Sequence, residues 1–182
     1  RGDAGTRSLN FALQAALNPP KPGKQERRFG ELVFREGDRV MQTRNDYDVV
    51  WQKEDGTAGT GIFNGDVGKI AKIDPSGELL EIVFDDRTAT YTSDMLAELD
   101  MAYAMTVHKA QGSEYRGVVF VGAPCAPSLM VRGVLYTAIT RARELLVIVG
   151  DDSAVNKMAE NDRRSRRYSG LKWRLRKGGE EK

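Results

Sequence analysis

Two short stretches of this chain carry side chains suited to chemistry. In TVHKAQGSE, residues 106 to 114, Thr106, His108 and Gln111 can hydrogen-bond, Lys109 brings a cation, Gly112 permits close backbone approach and Glu114 is an acceptor. Such groups suit recognition of a polyanion or a ribose more than covalent chemistry; the plainer alternative is a polar loop at a strand end. In YTAITRARE, residues 136 to 144, an arginine projecting from a helix end into a cleft could stabilise a transferring phosphoryl group. Arg141 and Arg143 stand two residues apart and point in different directions, so only one of them is expected to address a given ligand. A surface arginine favoured by the negative end of a helix is the alternative there.

Several chemistries are excluded or disfavoured. The phosphate-cradling pattern G-x-x-x-x-G-K-[ST] is absent: the Gly-Lys pairs at 23–24 and 68–69 are followed by Gln25 and Ile70, which lack the hydroxyl that would ligate magnesium. One cysteine, Cys125, and one histidine make neither an internal disulfide nor a structural zinc site. Asp151 and Asp152 follow the apolar run LLVIVG and mimic metal-binding acids at a strand end, but without a partner phosphate loop they read as a turn. No apolar run approaches the roughly 20 residues of a membrane span, and the start RGDAGTRSLNF lacks a signal-peptide core, so a cytoplasmic location is expected. The first residue is not methionine, which favours a piece excised from a longer protein.

The formal net charge of +2 hides an asymmetry. Residues 157 to 182 carry ten Lys/Arg against four Asp/Glu, a balance of +6, which leaves 18 against 22, a balance of −4, for residues 1 to 156. Within that tail, RRSRRYSGLKWRLRK interleaves arginines with Tyr168 and Trp173, a composition suited to phosphate contact and base stacking, or simply to a solvated terminus.

The elements that must position these groups fall into three kinds. A helix from Thr6, as its cap, to about Leu17 would place Leu9, Leu13 and Leu17 on one apolar stripe, read as core, before Asn18-Pro19-Pro20 stops it. Residues 61 to 92 alternate short β-forming runs with turn signals at Asn64-Gly65, Asp74-Pro75-Ser76-Gly77 and Asp85-Asp86. Leu80, Ile82 and Phe84 share one face, and the stretch reads as a small antiparallel barrel. MAYAMTVH, VVFVG and LLVIVGD are near-continuous apolar runs, with a helix expected from about Leu129 to Arg143. That alternation predicts an α/β domain with a parallel sheet covered on both faces, into which the barrel is inserted. TVHKAQGSE would then follow a strand of the parallel sheet, where functional groups gather.

Taken together, TVHKAQGSE and, about 20 residues later, LYTAITRARELLVIVGD resemble motifs V and VI of superfamily 1 helicases, most closely the RecD-like ATP-dependent DNA helicases. GTRSLNFALQAALNP, DRVMQTRNDYD and FNGDVGKI resemble the stretches that in this family enter the second motor domain and open its inserted SH3-like barrel. The resemblance runs from about Arg1 to Asp152 and leaves the tail uncovered. It implies an α/β, RecA-like second motor half in two parts, residues 1–60 and 100–152, an SH3-like barrel over 61–99 and a basic tail over 153–182. It also implies the C-terminal part of an enzyme of DNA repair and recombination that moves on single-stranded DNA.

In the family, ATP and Mg²⁺ are bound mainly by an N-terminal RecA-like domain, which would be this segment's partner within a longer chain. The resemblance assigns Arg141 as the arginine finger facing the γ-phosphate, Glu114 as a nucleotide contact, and Gly112 to close approach of the loop. Thr106, His108 and Lys109 fall on the single-stranded DNA side. The segment alone would then not hydrolyse ATP. Two alternatives stand beside this expectation. One is a non-catalytic module binding nucleic acid or a protein through the barrel or the basic tail; the other is the helicase segment of a conjugative relaxase.

Overall fold

Leu80, Ile82 and Phe84 are all fully buried, as their alternation predicts, and around them an antiparallel sheet takes shape. Burying each such side chain contributes roughly 1.5–3 kcal/mol. The computed structural model describes residues 2–163, which divide after Ser113 into two units. The sequence expectations for the basic tail beyond Arg163 lie outside the described residues.

The first unit opens with helix α1 (Thr6–Leu17) and a hairpin of β1 (Glu26–Phe29) and β2 (Leu32–Arg35). There follow β3 (Arg39–Gln42), β4 (Asp46–Gln52), β5 (Ala58–Ile62), β6 (Val67–Ile73), β7 (Leu79–Phe84) and β8 (Arg87–Thr92). A single 3₁₀ turn (Met95–Glu98) then leads into β9 (Leu99–Met101). Strands β3 to β9 form one seven-stranded sheet in the order β5-β4-β8-β7-β6-β3-β9, every pair antiparallel. The expected turns are present: Asp85-Asp86 joins β7 to β8, with Phe84 opposite Arg87. In the β6–β7 turn, Asp74 accepts from the backbone N–H groups of Ser76 and Leu79.

The sheet is wider than the 61–99 stretch, because β3, β4 and most of β5 precede it, and β3 and β4 share its core through Val40 and Val49. Two further expectations are corrected in this unit. The MAYAM run supplies only the end of β9, which pairs antiparallel with β3, so TVHKAQGSE does not follow a strand of the parallel sheet. Helix α1 has the expected bounds, with Gly5 and not Thr6 at its N-cap, but its buried face is rotated from the one expected: Leu9 and Leu13 are only half-buried. Its buried stripe is Asn10, Gln14 and Asn18, whereas Leu17 is 69% exposed and Phe11 37%.

Asp38 accounts for the rotation. The turn between β2 and β3 buries its carboxylate completely, where an unpaired charge would be prohibitively costly. It accepts from Gln14 and Asn18 at 2.6 Å each, and from the Arg35 backbone N–H and the Tyr103 hydroxyl at 2.8 Å each. The helix therefore has to turn amides inward.

The second unit contains β10 (Tyr115–Gly122), α2 (Arg132–Ile139), β11 (Ala142–Gly150) and α3 (Asp152–Glu160). The two strands are parallel, with Val118 opposite Leu146 and Phe120 opposite Ile148, so the expected α/β alternation is present. The expected helix over 129–143 is shorter, since residues from Ala142 onward already belong to β11. Asp151 caps α3 by accepting from the Ser153 N–H at 2.7 Å, and the hydrogen bonds from Ser153 hold its carboxyl below the usual carboxylate range. Residues 153–160, expected to begin the tail, are thus helical. The pair is not covered on both faces: Leu145, Ile148 and Val149 are 60%, 46% and 52% exposed.

Candidate functional site

The loop that carries Thr106, His108, Lys109 and Gly112 is held from below by polar contacts. Asn10 clamps Ala104 in both directions: its amide donates to the Ala104 carbonyl and its oxygen accepts the Ala104 N–H, each at 2.8 Å. Next to it, Tyr103 donates to the buried Asp38, and burial together with that carboxylate pushes the phenol up to about 12. The chain then makes a single helical turn. Thr106 caps it, its hydroxyl accepting from the Lys109 N–H at 3.3 Å and its carbonyl from the Ala110 N–H at 3.1 Å. Ala110 is buried, so the turn seats on an apolar point and lifts His108, Lys109 and Gln111 toward solvent. Gly112 leaves the turn at φ +92, a conformation L residues rarely adopt, and open space surrounds its Cα. Its glycine is required by backbone shape; nothing packs against it.

Across from this turn, Asn64, Gly65 and Asp66, between β5 and β6, form the other wall of a cleft of about 540 Å³ that His108, Lys109, Gln111 and Ser113 line. That wall is fixed by exchange of backbone hydrogen bonds with the buried Gln42: Gly65 N–H to its carbonyl, and its own N–H to the Asp66 carbonyl, both 2.9 Å. Charge is uneven within the cleft. Lys109 lies 3.2 Å from Asp100, and Asp66 is engaged by Arg87 at 3.3 Å and by the Phe63 N–H at 3.1 Å. Both charged side chains of the cleft are therefore paired, and an anionic ligand would compete with Asp100 for Lys109. Thr106 does not line the cleft; its part is to cap the turn.

Glu114 and Arg141 belong to the second unit, at the N-terminal ends of β10 and β11, where the Tyr115 N–H donates to the Arg141 carbonyl at 2.8 Å. The Arg141 guanidinium is half-buried along the end of α2, donating from Nε to the Thr137 carbonyl at 3.2 Å and from Nη2 to the Thr140 hydroxyl at 3.3 Å. Cations at a helix C-terminus gain from just such orphan carbonyls. Glu114 faces Arg143 at 3.8 Å, with both side chains well exposed, a pair worth little in water. The two arginines thus engage different partners, as their spacing predicts.

Sequence reasoning missed Asn10 and the Asn64–Asp66 wall. Asn64-Gly65 was legible as a turn, yet nothing in its spacing links it to a loop over forty residues away. Among the described residues no group of three or more His, Cys, Asp or Glu side chains is placed to hold a metal ion.

Comparison with known proteins identifies the family. Residues 9–84 match the SH3 domain model of ATP-dependent RecD-like DNA helicases, and residues 101–149 match the UvrD-like helicase C-terminal domain. The chain is 36% identical over 166 residues to the ATP-dependent RecD2 DNA helicase of Deinococcus radiodurans, covering 91% of this chain and 21% of that protein. It is 32% identical over 143 residues to the RecBCD enzyme subunit RecD of Mycolicibacterium smegmatis, covering 79% of this chain and 23% of that protein. A crystal structure of Bacteroides Pif1 bound to ssDNA shares the fold, with a TM-score of 0.53 at 17% identity, over 98% of this chain and 44% of that one. The chain therefore belongs to the RecD-like helicases, as an SH3-like barrel followed by α/β elements of a helicase C-terminal domain. It spans about a fifth of the length of these curated relatives.

Proposed function

We propose that this chain is the C-terminal part of an ATP-dependent DNA helicase that translocates on single-stranded DNA and unwinds duplex. The observation that supports this most is the order of the two family matches, barrel then C-terminal domain, the second of which contains Thr106 to Gly112, Glu114 and Arg141. In this reading the sheet from Arg39 to Met101 is the inserted barrel, and residues 114–152 return to the second motor domain. A cytoplasmic location goes with it.

Each side chain has a part. His108 and Lys109, raised on the capped turn, meet the phosphates of single-stranded DNA, with Thr106 fixing the turn that presents them. Glu114 contacts the nucleotide, and Gly112 gives the loop its close approach. Arg141 is the arginine finger: leaving its carbonyl and hydroxyl acceptors on α2, it places a delocalised charge against the γ-phosphate. The cationic groups fit a triphosphate. Mg²⁺ falls to the N-terminal RecA-like domain, which also supplies the phosphate loop this sequence lacks. ATP with Mg²⁺ provides the phosphoryl transfer that drives the motor. The 182-residue chain alone is inactive in hydrolysis.

In the longer protein, Arg141→Ala should lower ATP turnover by about 10³-fold or more, the usual effect of losing such a finger, while single-stranded DNA binding is retained. Unchanged turnover in that variant removes the assignment.

A further inference from the structure

The barrel carries two large aromatic side chains that it does not bury. Tyr47 is 66% exposed and Phe63 40%, and their rings meet edge to face with centroids 5.6 Å apart. The backbone is shaped to present them. Asp46 lies opposite Ile62, but Val50 lies opposite Thr60, so Tyr47–Val49 bulge out of β4. On the facing strand Gly61 adopts φ +97, and the Phe63 ring lies so close above it that a Cβ there would come within 3.0 Å of the ring's Cζ. Bulges that turn a side chain outward recur beside binding sites, and neither ring gains the burial that normally accounts for a large aromatic.

Phe63 continues directly into Asn64, Gly65 and Asp66, the cleft wall opposite His108 and Lys109. The rings do not line the cleft, but Phe63 adjoins its wall in the chain, and that wall is anchored on the buried Gln42 within the same unit. Asp46 and Asp48 flank Tyr47 in the chain, and Asp66 follows Phe63. Those acids repel phosphates from the ring end, so what the rings can accept from a polyanion is its apolar, flat part. An unpaired base is such a part, and stacking on aromatic faces tolerates any base sequence.

We propose that Tyr47 and Phe63 form a stacking platform for the bases of a single strand whose backbone passes His108 and Lys109. This rests on the nucleic-acid reading above and extends its track from the motif loop onto the barrel. The platform supplies affinity that is nearly independent of salt, whereas Lys109 supplies the salt-dependent share.

The test uses the 182-residue chain and a fluorescein-labelled oligo-dT of about 12 nucleotides, within the range a small β-barrel covers. Tyr47→Ala should weaken binding about 5-fold or more, and Tyr47→Phe should restore it. Phe63→Leu, which keeps a side chain over Gly61, should weaken it as well. The slope of log affinity against log salt should be unchanged in the ring variants and shallower in Lys109→Ala. With 5-iododeoxyuridine in the strand, photo-adducts should map to Tyr47 or Phe63. Ring variants that bind like the parent, with adducts elsewhere, overturn the platform; this includes the case in which the rings serve a protein partner. If Lys109→Ala still weakens binding in that event, the nucleic-acid reading of the loop stands; if it too has no effect, that reading falls with the platform.

Discussion

The two units of this chain solve burial differently. In the first, Phe34, Ile62, Ile70, Leu80, Ile82, Phe84 and Tyr91 are fully buried, and even the Asp38 charge is enclosed by four donors. In the second, the strand richest in aliphatic residues is open along its length: Leu145 is 60% exposed and Val149 52%. Strands of a parallel sheet are apolar because both faces are normally covered. The parallel pair lacks the covering that such strands normally have, whereas the antiparallel unit supplies its own core. The residues proposed to meet DNA thus lie on the unit that supplies its own core, and Arg141 on the unit whose strands stay open.

Substitutions can break or sharpen that contrast. The largest effect is expected at Asp38. Asp38→Ala strands the Gln14 and Asn18 amides, the Tyr103 hydroxyl and the Arg35 N–H, and should cost about 4 kcal/mol or more at roughly 1–3 kcal/mol per stranded group. Chemical denaturation followed by tryptophan fluorescence would read it, and a loss below about 1 kcal/mol would mean that the network relaxes easily. Leu80→Ala in the closed core should cost about 2–5 kcal/mol in the same measurement.

Alkaline pH gives a smaller effect confined to the first unit. Folding raises the Tyr103 phenol to about 12 from an ordinary value near 10, so the unfolded chain loses that proton first. The stabilisation is complete below pH about 10 and is lost as pH rises toward 12. Tyr103→Phe should flatten the fall of stability in that window, whereas equal slopes would place the titration elsewhere. Smallest of all, Leu145→Ala in this chain should change stability by about 0.5 kcal/mol or less, as at other exposed positions. In a longer protein whose further strands cover β11, the same change should cost several-fold more.

How far the sequence spoke follows the same division. The alternation of Leu80, Ile82 and Phe84 and the turn dipeptides around them reveal the antiparallel sheet, because period and turn chemistry are local. The motif residues were legible as types and spacing. Their setting was not: nothing local says that MAYAM closes an antiparallel sheet, or that Asn10 clamps Ala104 across 94 positions. Helix α1 shows the limit most clearly. Leu9, Leu13 and Leu17 make the better apolar stripe, yet a single buried carboxylate on the β2–β3 turn draws Gln14 and Asn18 inward and leaves Leu17 facing out. A period reports that a helix has two faces; which one is buried depends on what waits opposite it.

The central claim is that Arg141 and Glu114 complete a nucleotide site whose phosphate loop lies elsewhere. ATP hydrolysis by the purified 182-residue chain, with and without single-stranded DNA, tests it most directly. No turnover is expected in either condition. DNA-stimulated hydrolysis that survives repurification would show a complete nucleotide site within this chain and would contradict the division of labour proposed for it.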